Sequence, residues 1–363
     1  MGYTSVANRE GAVHAASALL ETQIARTGED EIGDLVARYP LVIEQIAGEA
    51  GIVESRVCAR AFLQAQGDVA RAVSLVRAWA ANLPRVGQVV TAPAQWFVLR
   101  RITPAYVEPR GGQFLGASRD YEQRLLNFDD RARAAGTTTQ TAVAPERSEE
   151  ETSEAVPTSL PPARGLLDEQ GLIAPPASLA QPTDVTRTTA SRTQRGAFLQ
   201  LLARAETGAI TSLAYMGIRG HGQRQDPTLL ELRVGDVPVR MERPEGGSFV
   251  VGSFTATMAE LALYAVHESG EADDRFTIGV GITSGRVERR AIAAAMIDAY
   301  AARAEGDANF FAAPHEDREY VGIAVDGQEA TGFVEHLKLP HHVTFASDLD
   351  RVRAAGTQAV RDV

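Results

Sequence analysis

The chain has 363 residues, 44% hydrophobic and 23% charged, with a formal net charge of −11 and one cysteine. That length allows one large or two ordinary domains with sizeable cores, and the acidity argues against nonspecific binding to nucleic acid or an anionic membrane. There is no apolar run long enough to span a bilayer, the first ten residues lack a secretion-signal pattern, and a lone thiol excludes an intrachain disulfide framework, so a soluble cytoplasmic protein is expected.

Residues 8–27 carry helical periodicity, with Val13, Ala16, Leu19 and Leu20 on one face and alanines that predict close packing. His14 reads as a structural residue of this helix. A second helical region covers 31–50, interrupted near Pro40, and a third covers 53–66. Cys58 reads as a small core residue there. Gly67 and Asp68 then supply a turn and an N-cap for a helix through Asn82. An all-helical N-terminal layer is expected, with no chemistry in it.

From Val86 the pattern turns β-prone, through Val89-Val90 and Trp96-Phe97-Val98-Leu99. Arg100, Arg101 and Arg110 add positive charge before Gly111-Gly112-Gln113-Phe114-Leu115-Gly116, which precedes Asp120 and Tyr121. Two readings stay open for this loop. One is a Gly-rich cap on a helix ending at Arg124–Phe128. The other is an anion-binding loop in which Arg110, Gly111, Gly112, Gln113 and Gly116 hold phosphate.

Residues 133–165 are low-complexity, rich in Thr, Glu, Ser and Pro, and too poor in apolar surface to offset ordering. Leu166-Leu167 and Leu172-Ile173 offer one docking point. Three regions follow: a helical part with the Gly-rich loop over 1–132, an insertion or linker over 133–182, and an α+β part over 183–363.

Thr183–Thr188 re-enters ordered structure, and 194–205 reads as a helix with Phe198, Leu201 and Leu202 inward. The polar loop Arg219-Gly220-His221-Gly222-Gln223-Arg224 offers Arg219, His221 and Arg224 as further phosphate contacts, or is a plain connection. Residues 229–241 and 248–266 read as strands joined by a Gly246-Gly247 hairpin turn. Strand 276–285 contains Gly279-x-Gly281 and enters a helix over 287–303. The layout is that of a pyrophosphate cradle, but a tight strand–helix corner is the favoured reading. The fold class is α+β: a helical N-terminal layer, then a mixed, largely antiparallel sheet with flanking helices.

Near the C-terminus, Glu335-His336-Leu337-Lys338-Leu339-Pro340-His341-His342 holds three of the seven histidines. Asp326 and Glu329 form a capping box that opens the helix delivering His336, and Pro340 stops it. On an unbroken helix His336 and His341 would face roughly 140° apart, so a zincin-type helix is excluded. An extended turn after the stopped helix returns both rings to one point. Two imidazoles make an incomplete zinc site. Its other ligands would come from His315, a carboxylate or another chain, and solvated histidines at a helix end are the competing reading. Ser347 is expected to cap a last helix through Leu349, Val352 and Ala355.

Gly332-Phe333-Val334-Glu335-His336-Leu337-Lys338-Leu339-Pro340-His341 resembles the signature of the PhnI family, a core subunit of bacterial carbon–phosphorus lyase. Three stretches agree with it in order: Gly111–Gly116 with Asp120-Tyr121 and Arg124-Leu125-Leu126; Asp184–Thr188; and Arg275-Phe276-Thr277 leading into Glu288-Arg289-Arg290-Ala291. The resemblance runs from about residue 8 to about 350, with a gap over 133–180. It departs at Gly220–Pro227 and at His342, which competes as a ligand.

The resemblance implies a transferase subunit that takes part in displacing the purine of MgATP by an alkylphosphonate, with nucleosidase activity on ATP and GTP. It implies Zn2+ held by His336 and His341 at an interface with the radical subunit PhnJ, Mg2+ with the ATP, and assembly with PhnG, PhnH, PhnJ and ATP-binding-cassette proteins about a two-fold. The radical chemistry needs an iron–sulfur cluster, which this chain cannot ligate with one cysteine. Asp120 is the candidate carboxylate for an oxocarbenium-like transition state. Two other readings remain: a scaffold that only completes a metal site, and an independent zinc hydrolase.

Overall fold

The computed structural model describes residues 9–23, 29–84, 96–122, 124–126, 128, 160–175, 184–187, 194–220, 226–243, 245–264, 275–305, 313–339 and 341–361. The N-terminal layer is helical, as its periodicity predicts: α1 (Arg9–Gln23), α2 (Glu29–Arg38), α3 (Pro40–Ala50), α4 (Ser55–Gln64) and α5 (Val69–Ala81). The helical region is interrupted at Tyr39, as expected near Pro40, and Pro40 itself starts α3 at the first helical position, where its missing N–H costs nothing. Gly51 ends α3 with φ 77°, and the Asp68 carboxylate accepts the Arg71 N–H at the start of α5. Ile43, Ile46, Cys58, Ala72, Val73 and Val76 close the core of this layer. Burial, then the nearby Glu54 charge, pushes the Cys58 thiol up to about 12, the behaviour of an inert core residue. Helix α1 departs from expectation. Val13 and Leu19 are 63% and 62% exposed, and of the face expected to pack closely only Leu20 is partly buried.

The second half is built on a four-stranded antiparallel sheet in the order β1 (Phe97–Ile102), β2 (Thr228–Glu242), β3 (Ser248–Tyr264), β4 (Phe276–Ser284). Gly246 and Gly247, with φ of 98° and 83°, close the β2–β3 hairpin at the expected place. Between β1 and β2 lie a one-turn helix α6 (Gly165–Glu169), then α7 (Arg195–Ala203) and α8 (Thr207–Ile218). After the sheet come α9 (Glu288–Glu305), α10 (Arg318–Ala324), α11 (Gly327–His336) and α12 (His342–Arg361).

Alternation along the strands gives the sheet two buried faces. On one, Leu232, Ala259, Leu261 and Leu263 pack against Ala291, Ala294, Ala295, Ile297 and Tyr300 of α9. The Gly279-x-Gly281 pair lies at this contact. A Cβ on Gly279 would stand 2.0 Å from the Ala295 carbonyl oxygen, and one on Gly281 would stand 2.0 Å from that of Ala291. These glycines let a helix backbone lie directly on β4; they are a packing device, as the strand–helix corner reading has it. Asp298 of α9 completes the joint by accepting the Val280 N–H at 2.9 Å and the Arg195 guanidinium at 2.7 Å.

The other face carries Val98, Val237, Ala256 and Met258 with Trp96 and Leu160, and beside them a buried charge cluster. Glu231 and Arg101 are fully buried, and Arg233 nearly so. One Glu231 oxygen accepts from Arg101 Nε (2.9 Å) and Arg233 Nε (2.8 Å); the other accepts the Ala163 N–H (2.9 Å). Arg101 also donates to the Pro161 carbonyl at 2.8 Å, and Arg164 reaches Glu260 at 3.3 Å. Burial holds the Glu260 carboxyl above the ordinary carboxylate range. The segment 160–175 is therefore strapped onto the sheet by buried charge. Its far end adds a parallel bridge to β4: Phe276 N–H donates to Leu172 O, and Ala174 N–H to Phe276 O. The docking point expected at Leu172-Ile173 is real, but Leu160 and Ala163 are the buried anchors.

Candidate functional site

The loop after β1 is shaped by two consecutive arginines pointing to opposite faces of the strand. Arg101 donates to the carbonyls of Arg110 (2.7 Å) and Gly112 (2.8 Å) from inside the protein. Arg100, almost wholly buried, donates to the Leu115 carbonyl, to the Asp120 carboxylate and, at 2.7 Å, to Glu288 in the first turn of α9. Gly111, Gly112 and Gly116 have φ of 78°, 71° and 58°, backbone that side-chain-bearing residues rarely adopt. At Gly116 a Cβ would also stand 2.5 Å from the Leu99 carbonyl. The glycines are thus needed for the loop's path.

Two of the loop's amides are already used: Gly112 N–H bonds to Pro109 O and Phe114 N–H to Arg101 O. Gln113 accepts the Thr103 N–H through its side-chain oxygen at 3.3 Å. Arg110 is an accessible cation, its guanidinium held by both carboxylate oxygens of Glu169, one at 2.9 Å; Arg119, further along the loop, is exposed too and pairs with Glu122 at 3.2 Å. Asp120 is half-exposed and oriented by Arg100, so Asp120 and Glu288 are two carboxylates gathered on one guanidinium. Sequence singled out neither Glu169 nor the pairing of Glu288, which stood only in a family stretch, because their partners lie 59 and 188 residues away along the chain. Among the described residues no helix ends at Arg124–Phe128; those residues are turn and irregular backbone.

Arg219 caps the C-terminus of α8 and lies 5.8 Å from the Tyr215 ring centroid. Among the described residues no hydrogen bond or ion pair joins it to the Gly-rich loop. His221 and Arg224 lie outside the described residues.

The histidine stretch folds as its punctuation predicts. Asp326 caps α11 by accepting the N–H groups of Gln328 (3.2 Å) and Glu329 (3.4 Å), and the helix ends at His336. A tight turn follows, and α12 starts at His342, five residues before the expected Ser347 cap, with the His341 carbonyl accepting the Phe345 N–H. The His336 and His341 rings meet edge to face with centroids 5.2 Å apart. His341 Nδ1 lies 2.6 Å from the Leu339 carbonyl. That contact requires Nδ1 to carry the proton, which leaves Nε2 as the lone-pair donor, the arrangement seen in metal-ligating histidines.

Among the described residues no third ligand joins the pair. His315 is fully buried with its ring against Tyr300, and the described residues contain no group of three or more His, Cys, Asp or Glu that could hold a metal. Both rings are exposed. Flanking them along the chain, Phe333, Leu337, Val343 and Phe345 are 67–74% exposed, an open apolar collar on the end of α11 and the start of α12. No described helix is long and apolar enough to cross a membrane.

Comparison with known proteins places the chain. The family described as "Bacterial phosphonate metabolism protein (PhnI)" matches residues 2–359. The alpha-D-ribose 1-methylphosphonate 5-triphosphate synthase subunit PhnI of Escherichia coli K12 is 35% identical over 365 residues, covering 97% of each chain. The protein of the same name from Rhizobium meliloti is 32% identical, over 97% of this chain and 94% of its own. A Stutzerimonas stutzeri chain, provisionally named the C-P lyase subunit protein HtxH, is 32% identical over 99% of this chain and 97% of its own.

Proposed function

The chain belongs to the PhnI family of bacterial phosphonate metabolism proteins, and from that premise we propose that it is a subunit of a carbon–phosphorus lyase complex. Its step is the displacement of the purine of MgATP by an alkylphosphonate, with release of purine from ATP or GTP as the accompanying nucleosidase activity. The names of its relatives as synthase subunits support the step. The observation that carries the subunit reading is the exposed, two-ligand His336–His341 pair inside an apolar collar. A lone hydrolase needs three protein ligands around a catalytic zinc. An exposed apolar patch of this kind fits a protein partner.

The donor set fits half of a tetrahedral zinc site: His341 Nε2 with its tautomer fixed by Leu339, and His336 beside it. A partner chain, the radical subunit PhnJ on this reading, supplies the remaining ligands. Zinc held there would act as a Lewis acid.

Loss of purine builds positive charge on the ribose, and a fixed carboxylate stabilises it. Asp120, half-exposed on a loop whose path Arg100 sets, is the carboxylate proposed for this role. Arg110 offers charge for the polyphosphate at the same loop, where the backbone amides are partly used. Arg219, His221 and Arg224 on the loop after α8 are proposed as further phosphate contacts. PhnG and PhnH complete the assembly, and Mg2+ enters with the nucleotide.

The test is purine release from MgATP by the complex assembled from co-expressed subunits, with and without an alkylphosphonate. Asp120→Asn keeps a hydrogen-bond acceptor for Arg100 but removes the charge. It is expected to lower turnover about 100-fold while the subunits still co-elute. Undiminished turnover in that variant would make this chain a scaffold.

A further inference from the structure

We infer that Glu169 is a built-in competitor for the anion site at Arg110, so that a phosphate-bearing ligand binds by taking Arg110 away from it; this rests on the Gly-rich loop being the phosphate-holding element. Two arginine–glutamate pairs lie near the strap, Arg101–Glu231 between β1 and β2 beneath it and Arg110–Glu169 between loop and strap, and they differ in kind. Arg101–Glu231 is fully buried on both sides, while the Arg110 and Glu169 side chains are 51% and 59% exposed. The first is a permanent clamp. The second faces water, where an ion pair is weak and exchanges readily.

Glu169 is held in place all the same. It closes α6, whose chain is pinned on one side by Ala163 N–H to Glu231 and Pro161 O to Arg101, and on the other by the backbone bonds of residues 172–174 to Phe276. The carboxylate therefore stands at Arg110 on a rigid strap. Both its oxygens engage the guanidinium side by side, in the geometry a phosphate would take. The hydrogen bond from Arg110 holds the Glu169 carboxyl below its ordinary range, so it is ionised at neutral pH. Any anion seated at Arg110 must exchange with it, and its apparent affinity falls by the fraction of Arg110 already occupied.

The experiment is equilibrium binding of MgATP to the full chain and to the assembled complex for wild type, Glu169→Gln, Arg110→Gln, the double variant and Asp168→Asn. Glu169→Gln is expected to tighten binding about two- to fivefold, and Arg110→Gln to weaken it. The double variant should bind no better than Arg110→Gln alone. Asp168→Asn removes a neighbouring charge outside the pair and controls for the general field; it should tighten less than Glu169→Gln. If Arg110→Gln leaves affinity unchanged, phosphate does not sit at this loop and the underlying reading fails. If Arg110→Gln weakens binding but Glu169→Gln does not tighten it, the competitor role is overturned and the phosphate site stands. Equal tightening by Glu169→Gln in the Arg110→Gln background would reduce the effect to bulk charge and also overturn it.

Discussion

Replacing Glu231 by Ala is expected to lower the stability of the chain by about 3–5 kcal/mol, measured as the urea midpoint. The residue is wholly buried, and it is the carboxylate partner of both Arg101 and Arg233. Deleting it leaves the buried Arg101 guanidinium with carbonyl partners only, takes from the buried Arg233 the carboxylate it donates to, and removes the acceptor of the Ala163 N–H. Removing one member of a buried pair is far costlier than never having built the pair. The sign with pH follows from the carboxyl. Burial pushes its pKa up, but the Arg101 hydrogen bond, the Ala163 N–H and the charges of Arg233 and Arg101 together carry it below its ordinary 4.5. Its contribution is therefore full above that ordinary value and is lost as pH falls through the lowered one. The gap between wild type and Glu231→Ala should narrow in acid. Glu231→Gln, which keeps an acceptor, should cost less. Glu231→Ala should also loosen residues 160–175, seen as faster amide exchange there.

The second large effect is expected at Gly281. Gly281→Ala places a methyl against backbone, 2.0 Å from Ala291 O and 2.6 Å from Ala295 N. Those atoms cannot swing aside as a side-chain end can, so α9 must lift off β4. A loss of about 3 kcal/mol, the upper end for overpacking, is expected. Gly279→Ala, against Ala295 O, should behave alike. Gly252→Ala on β3 is the control, because a Cβ there meets nothing within 4 Å. A Gly281→Ala protein as stable as wild type would contradict the close helix–strand contact.

The N-terminal helices were legible because their signals are local: a break near Pro40, Asp68 as a cap, and apolar periodicity in α3 to α5. The histidine pair was legible for the same reason. Asp326 caps the start of α11, the helix ends at His336, and the His336 and His341 rings meet just beyond it. What sequence did not show is non-local. Glu231 and Arg233 lie on a strand where charges suggest a solvent face, and only a partner 130 residues away, Arg101, makes them interior. The strap fell within the low-complexity insertion because Pro and polar residues dominate its neighbourhood, yet Leu160, Ala163 and Arg164 hold it to the sheet. Gly279-x-Gly281 carried two readings because a close backbone approach and a phosphate cradle ask for the same residue. The helix expected near Leu125 failed because Arg100 draws Leu115 and Asp120 into an irregular loop.

The most direct test of the subunit account is zinc content. The full chain purified alone, the complex with its partner subunits, and the same complex carrying His336→Ala/His341→Ala would be analysed for metal after extensive dialysis. Stoichiometric zinc is expected only in the unmodified complex, with little retained by the isolated chain and a folded double variant that loses the metal. Tight zinc binding by the isolated chain, or full zinc in the double-variant complex, would contradict a half-site completed by a partner.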